Sequence, residues 1–273
     1  MSLGRLVLRS IACALVAALH PGCADSHMRS DTDASSATEP DAHVALGDGG
    51  TTIVAPVSSL AWMIVHPSDA PRGPGLYLFD ESRNQVVSHL PLPDELESPH
   101  ALAWDGESLW LGGAGLDSAV YELDSVDASV RSRLPNIRTE GITIEGDTLW
   151  LADDDNFGSV RLVRLARDGT ELFSALLPTT TLQDLTIARG ALYYLVNDGV
   201  DRIVRFDRAT GASVDLVRGV HVAPYSLAFD GAHLVVAVEG TLRRYDPATG
   251  ELVRVSSIDV PGWITALAFQ RHE

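Results

Sequence analysis

"GITIEGDTLWL", residues 141–151, is the stretch on which the fold turns. Apolar Ile142 and Ile144 alternate with polar neighbours, Gly146-Asp147 interrupts, and a second apolar run follows through Leu149 and Leu151. Alternation with a period of two marks a strand with one buried face, and a Gly-containing pair between two such runs marks a hairpin. The stretch recurs. "ALAWDGESLWL" begins at Ala101, "DLTIARGALYY" at Asp184 and "SLAFDGAHLVV" at Ser226, and a partial copy, "ALAFQ", begins at Ala266. The second residues of the copies are Leu102, Ile142, Leu185, Leu227 and Leu267, spaced 40, 43, 42 and 40. A strand-rich period near 42 is the signature of a β-propeller, in which short sheets stack radially because none can bury its faces alone.

Each period holds four strands. The hairpin supplies the first two, with Gly106, Gly146, Gly190 and Gly231 at its tip. A third ends at polar turns such as "DRATG" and "DPATG", where Asp bonds its own backbone and Gly accepts a positive φ. A fourth, apolar strand often ends at proline, as in "SALLP". Upstream, "SLAWMIV" (59–65), "GLYLFDESRNQ" (75–85) and "VVSHLPLP" (86–93) supply three strands of a further blade that lacks its innermost member. The C-terminal "ITALAFQ" (264–270) is an innermost strand without a blade. Joining them predicts an all-β, five-bladed propeller over residues 51–273, closed by the C-terminal strand, with no open sheet edge left at the seam.

The N-terminus reads as an address. Arg5 and Arg9 precede an apolar run, Ile11 to Leu19, and then small residues, which is the layout of a secretory signal over residues 1–22. The run is too short for a permanent membrane span. Cys23, after Pro21-Gly22, resembles the acylated cysteine of bacterial lipoproteins, although His20 stands where that pattern has Leu. The resemblance implies a lipid on Cys23, membrane attachment and export; ordinary cleavage after Ala24 is the alternative. Residues 23–50 are rich in Ser, Asp, Ala and Gly and read as a disordered tether. Cys13 and Cys23 are the only cysteines, so the propeller region holds neither a disulfide nor a thiolate metal site. With no lysine and a formal net charge of −17, the chain repels phosphate backbones, and nucleic acid is not an expected partner.

In this topology the starts of the innermost strands and the ends of the second strands share one face around the central channel. The starts are His100, Glu140, Gln183, Tyr225 and Thr265. The second strands end near His66, Gly113, Asp153-Asp154, Asn197-Asp198 and Glu239. A two-residue loop at Gly146-Asp147 puts Glu140 opposite Asp153, with Cβ atoms about 5 Å apart, close enough for the like charges to call for a cation, a shared proton or an arginine. Glu140, Asp153, Asp154 and Asn197 are therefore candidate oxygen ligands for Ca²⁺. The alternative is a polar strand end that caps its turn. His66, His100 and His221 reach the same face from different blades. Trp62, Trp104, Trp110 and Trp150 are read as packing between blades, and Trp263 as a candidate to line the mouth.

"LYYLVNDGVDRIVRFDRATGASV" (192–214) resembles the YVTN family of bacterial propeller repeats, which implies the fold but no single chemistry. "EGITIEGDTLW" and "QDLTIARGALYYLVNDGVDRIVRFDRATG" are similar to strands of the five-bladed glutaminyl cyclotransferases, which implies Glu140 and Asp184 at a catalytic mouth; that family's glutamine is His100 here. Three functions follow. One is a non-catalytic module for a protein or small-molecule ligand, in keeping with the absence of G-x-S-x-G, H-E-x-x-H and phosphate-loop motifs. The second is a Ca²⁺-dependent lactonase or esterase using Glu140, Asp153, Asp154 and Asn197. The third is the cyclotransferase activity.

Overall fold

The computed structural model describes residues 59–67, 74–96, 98–113, 118–154, 158–220 and 226–270, excepting the side chain of Asp154. The expected signal, Cys23 and tether lie outside the described residues, as do His221 and Tyr225. Among the described residues every regular element is a strand, and they form five four-stranded antiparallel sheets.

The second blade is β4 (Pro99–Trp104), β5 (Ser108–Gly113), β6 (Ala119–Asp124) and β7 (Val130–Pro135). The third is β8 (Thr139–Glu145), β9 (Thr148–Asp154), β10 (Val160–Ala166) and β11 (Glu171–Leu176). The fourth is β12 (Leu182–Ala188), β13 (Ala191–Asn197), β14 (Asp201–Phe206) and β15 (Ser213–Arg218). The fifth is β16 (Ser226–Phe229), β17 (Leu234–Val238), β18 (Thr241–Tyr245) and β19 (Leu252–Ser257). The first blade joins both ends of the repeat. β1 (Leu60–Pro67), β2 (Gly75–Asp80) and β3 (Gln85–Pro91) take β20 (Gly262–Phe269) as their innermost strand. The innermost strands β20, β4, β8, β12 and β16 neighbour one another in that order and back to β20, so the ring is closed as expected.

The turns work as their residues dictate. Gly106, Gly146, Gly190 and Gly231 all have positive φ at the hairpin tips, a region costly to residues with a Cβ. Asp207 Oδ1 accepts the N–H groups of Ala209 and Thr210, and Asp246 Oδ1 accepts those of Ala248 and Thr249.

The core is five layers, one per seam, rather than a central mass. Trp62, Ile64 and Leu76 pack on Leu102 and Leu109 between the first two blades. Ala103 and Trp110 meet Ile142 and Leu149 at the next seam. Trp150 and Leu162 meet Leu185 and Tyr194 at the third. Trp62, Trp110 and Trp150 hold matching places on second strands, facing Ala268, Ala103 and Thr143. Trp104 does not share that place: it ends the innermost strand β4, opposite Leu109.

Two of these tryptophans sit in a repeated latch. Trp110 Nε1 donates to Asp105 at 3.0 Å, and Arg167 of the next blade bonds the same carboxylate while lying 5.1 Å from the centre of the Trp110 ring. Trp150 Nε1 donates to Glu145 at 3.1 Å, and Arg208 of the next blade bonds Glu145 and lies 5.6 Å from the Trp150 ring centre. The seam between the fifth and first blades is held differently. Arg244, 3% exposed, donates to the buried Asp230 at 2.8 Å and pairs with Glu81 of the first blade.

Candidate functional site

The expected mouth positions share a feature that alternation alone does not reveal. In β8 and β9 the ladder runs from Glu145 opposite Thr148 to Gly141 opposite Ala152, and the next pair is Thr139 with Asp153. Glu140 is the unopposed residue of a β-bulge. In β4 it is His100, between Pro99 and Ala101; in β12 it is Gln183, between Leu182 and Asp184; in β20 it is Thr265, between Ile264 and Ala266. Four equivalent residues are thus freed from pairing at one level of the ring, and a bulge of this kind re-aims its side chain. In β8 the bulge is tied across by Thr139, fully buried, whose hydroxyl donates to the Gly141 carbonyl at 2.6 Å. Gly141 is required there. A Cβ would lie 2.7 Å from the Leu185 nitrogen and 2.8 Å from Asp184 Cα on the neighbouring innermost strand.

The bulge corrects the expected facing of Glu140 and Asp153. The register follows the Gly146-Asp147 loop as far as Gly141 and then slips by one, so Asp153 faces Thr139. Each carboxylate has an arginine instead. Arg161, opposite Asp153 on β10, donates to it at 2.6 Å, and Arg138 lies 3.6 Å from Glu140. The like-charge argument for a bound cation therefore loses its premise at this pair. Asn197 ends β13, opposite Asp201, and its backbone N–H donates to the Thr181 carbonyl. Glu239 is an exposed turn residue between β17 and β18 with φ of 43°. Among the described residues no three acidic, His or Cys side chains gather as a metal site would require.

Asp184 does not line the mouth. It is 1% exposed and lies in the seam between the fourth and fifth blades. Its Oδ1 accepts the N–H of Leu185 and its Oδ2 the N–H of Leu227 on β16, each at 2.8 Å, so it staples two innermost strands together. Burial pushes this carboxyl well above the usual carboxylate range, and the two N–H groups oppose that shift without cancelling it. A native pKa above the unfolded one means that the folded protein binds the extra proton; the associated stability is full at acid pH and is lost as pH rises through the native pKa. Asp184→Asn removes that dependence. The melting-temperature gap between variant and parent is expected to move in the variant's favour from pH 4 to pH 8; a gap independent of pH would refute the shift.

One corner of the mouth is formed by residues of the first blade, with His100 of the second. His66, half-buried at the end of β1, stacks on Trp263 with ring centres 6.2 Å apart and planes 7° from parallel. Trp263 is 55% exposed, so its ring face is open to solvent beside His66. Gly262 lets this corner close: a Cβ there would lie 1.9 Å from the His66 carbonyl oxygen. Burial, and then the charge of His100, hold the His66 imidazole below its ordinary pKa. Among the described residues His66 Nε2 and Thr265 Oγ1 are buried without a hydrogen-bond partner. His100 Nε2 lies 3.1 Å from the Ser98 hydroxyl. The signal for this corner in the sequence is Trp263, which precedes "ITALAFQ" and lies within β20.

The other end of the channel holds a cavity of about 480 Å³ that the sequence reading did not anticipate. Thr143, Thr186, Trp104, Phe229 and Phe269 are among its lining residues. The innermost strands are each paired on one side only.

No protein-family model and no curated protein sequence matches the chain. The likeness is to solved structures. A chain of a nidogen/laminin complex superimposes with a TM-score of 0.51 at 12% identity, over 78% of this chain and 98% of that one. A protein of unknown function from Bacteroides caccae gives 0.48 at 11% identity over 73% of each chain. The β-propeller domain of Cps50 (Swd1) from Myceliophteria thermophila gives 0.43 at 13% identity, over 73% of this chain and 86% of that one. The molecule is a five-bladed β-propeller closed by its C-terminal strand.

Proposed function

We propose that the chain is an exported binding module, attached to a membrane through a lipid on Cys23, that takes its ligand at the bulged mouth of the ring. The observation that carries this reading is the exposed Trp263 stacked on His66, on the same face of the ring as the bulge residues His100, Glu140, Gln183 and Thr265. A flat aromatic face beside several fixed hydrogen-bonding groups suits a polar ligand with one planar or apolar face, such as a sugar ring or an aromatic side chain of a partner protein. The fold is compatible with protein partners, since a similar propeller was solved in a nidogen/laminin complex. Binding is favoured over carboxylate-driven hydrolysis because Glu140 and Asp153 are each engaged by an arginine.

The test is a fluorescence titration of the protein against panels of saccharides and of aromatic-containing peptides. At least one class is expected to shift the tryptophan emission and to lose tenfold or more in affinity in Trp263→Ala. Binding that Trp263→Ala leaves unchanged would place the ligand elsewhere. Labelling by a radioactive fatty acid that disappears in Cys23→Ser would support the anchor.

A further inference from the structure

We propose that the cavity at the hairpin end of the channel, opposite the mouth, is a binding site for a small uncharged aromatic molecule carrying one hydrogen-bonding substituent, of the phenol or indole kind. The cavity encloses about 480 Å³, a size at which proteins hold small ligands. Its lining is two-sided. Two positions recur at this depth, the first and second residues after the repeated Leu or Ile of each innermost strand. On β16, β20 and β4, which stand side by side, they are Ala228-Phe229, Ala268-Phe269 and Ala103-Trp104. On β8 and β12, also neighbours, they are Thr143-Ile144 and Thr186-Ile187. Three aromatic side chains therefore line one arc of the cavity, and the two residues of its lining that carry hydroxyls stand on the other.

The aromatic arc also presents backbone groups. The Asp105 N–H donates to the Ser108 carbonyl, and the Gln270 N–H to the Leu60 carbonyl. Bonded and non-bonded pairs alternate along an antiparallel ladder, so the pairs one step back, Trp104 with Leu109 and Phe269 with Ala61, are non-bonded. The N–H and C=O of Trp104 and Phe269 thus turn away from the partner strand, and on that side β4 and β20 have no further strand. Charge decides against ions. Asp105 is the one ionisable side chain among the described lining residues, and its carboxylate is engaged. Oδ1 accepts the N–H groups of Glu107 and Ser108, and Oδ2 accepts Trp110 Nε1 and Arg167. A charged ligand would lose its hydration here and meet no counter-charge. An uncharged ring instead packs offset or edge-on against the aromatic arc, and its substituent reaches a threonine hydroxyl or an inward peptide group. The site lies at the end of the channel away from Trp263 and His66, so it does not rest on the ligand proposed for the mouth.

The experiment follows the alanine and threonine methyl resonances of the carbon-13-labelled protein during titration with phenol, indole, benzoate and glucose. Phenol and indole are expected to shift Ala228, Ala268, Thr143 and Thr186 and to leave Thr265, at the mouth, unmoved. Benzoate and glucose should shift none of them. The double variant Thr143→Val, Thr186→Val should weaken phenol about fivefold relative to toluene, which has no group to hydrogen-bond. Trp104→Leu should weaken phenol and toluene alike, and Trp263→Ala should change neither. The site is refuted if neither phenol nor indole moves the cavity methyls of the parent, a result that requires no variant to fold. Equal movement with benzoate or glucose would overturn the assigned chemistry, and loss of phenol binding in Trp263→Ala would overturn the location.

Discussion

Deletion of residues 264–273 is expected to remove the cooperative thermal transition of the ring, followed by far-ultraviolet circular dichroism. β20 is the inner partner of β1 along the pairs Ala61–Phe269 to Pro67–Gly262. It also supplies apolar side chains to two seams: Ile264, Leu267 and Phe269 to the one with the fifth blade, Ala266 and Ala268 to the one with the second. Each large side chain exposed costs roughly 1.5–3 kcal/mol. Three of them, with the alanines and a stripped strand edge, reach the 5–15 kcal/mol or so that holds a typical domain together. The deletion also uncovers Met63, Ile64 and Val65, which are fully buried in the intact ring. A truncated protein with an unaltered melting curve would show that the ring does not depend on this closure.

Arg244→Met is expected to be the most damaging single substitution at the same seam. The guanidinium holds two carboxylates, Asp230 and Glu81, that have little access to water. Removing one partner of a buried ion pair costs about 3–5 kcal/mol, because the charges left behind are neither solvated nor neutralised. In a domain of this size that is a fall in melting temperature on the order of 10 °C. The diagnostic comparison is the triple variant Arg244→Met, Asp230→Asn, Glu81→Gln. It should recover much of the loss, since no uncompensated charge remains. If the triple variant is as unstable as the single one, the loss reflects packing of Arg244 against Phe269 rather than electrostatics.

The ring itself was legible in the sequence because every seam repeats the same packing. Leu102, Ile142, Leu185, Leu227 and Leu267 recur at nearly equal spacing because each fills the same gap between neighbouring blades. The mouth was legible as a set of positions but not as a set of contacts. A bulge displaces the ladder by one residue without changing composition or alternation, so Glu140 was placed opposite Asp153 when the slip belongs to Glu140 itself. At the hairpin end of the blades the arginines that engage the acids come from the next blade and lie outside the local pattern. Arg167 and Arg208 meet Asp105 and Glu145 only because adjacent blades bring distant turns together. Asp184 was misjudged for a related reason. One residue separates it from the bulge position Gln183, and that one step turns the side chain from the channel into the seam.

The pairing of β1 with β20 also imposes an order in time. Of the described strands, a chain made from its amino end produces β1 before any other and its inner partner β20 after all the others. The Gln270 N–H donates to the Leu60 carbonyl at 2.9 Å, extending by one step the ladder that joins the first and last described strands. Until β20 is made, the first blade is a three-stranded sheet with a bare inner edge, and the blades already formed have no partner at one end of the row. Such long-range closure is slow and leaves strand edges exposed meanwhile. Closure of the first blade, and with it of the ring, therefore waits on a strand that follows all nineteen other described strands in the chain.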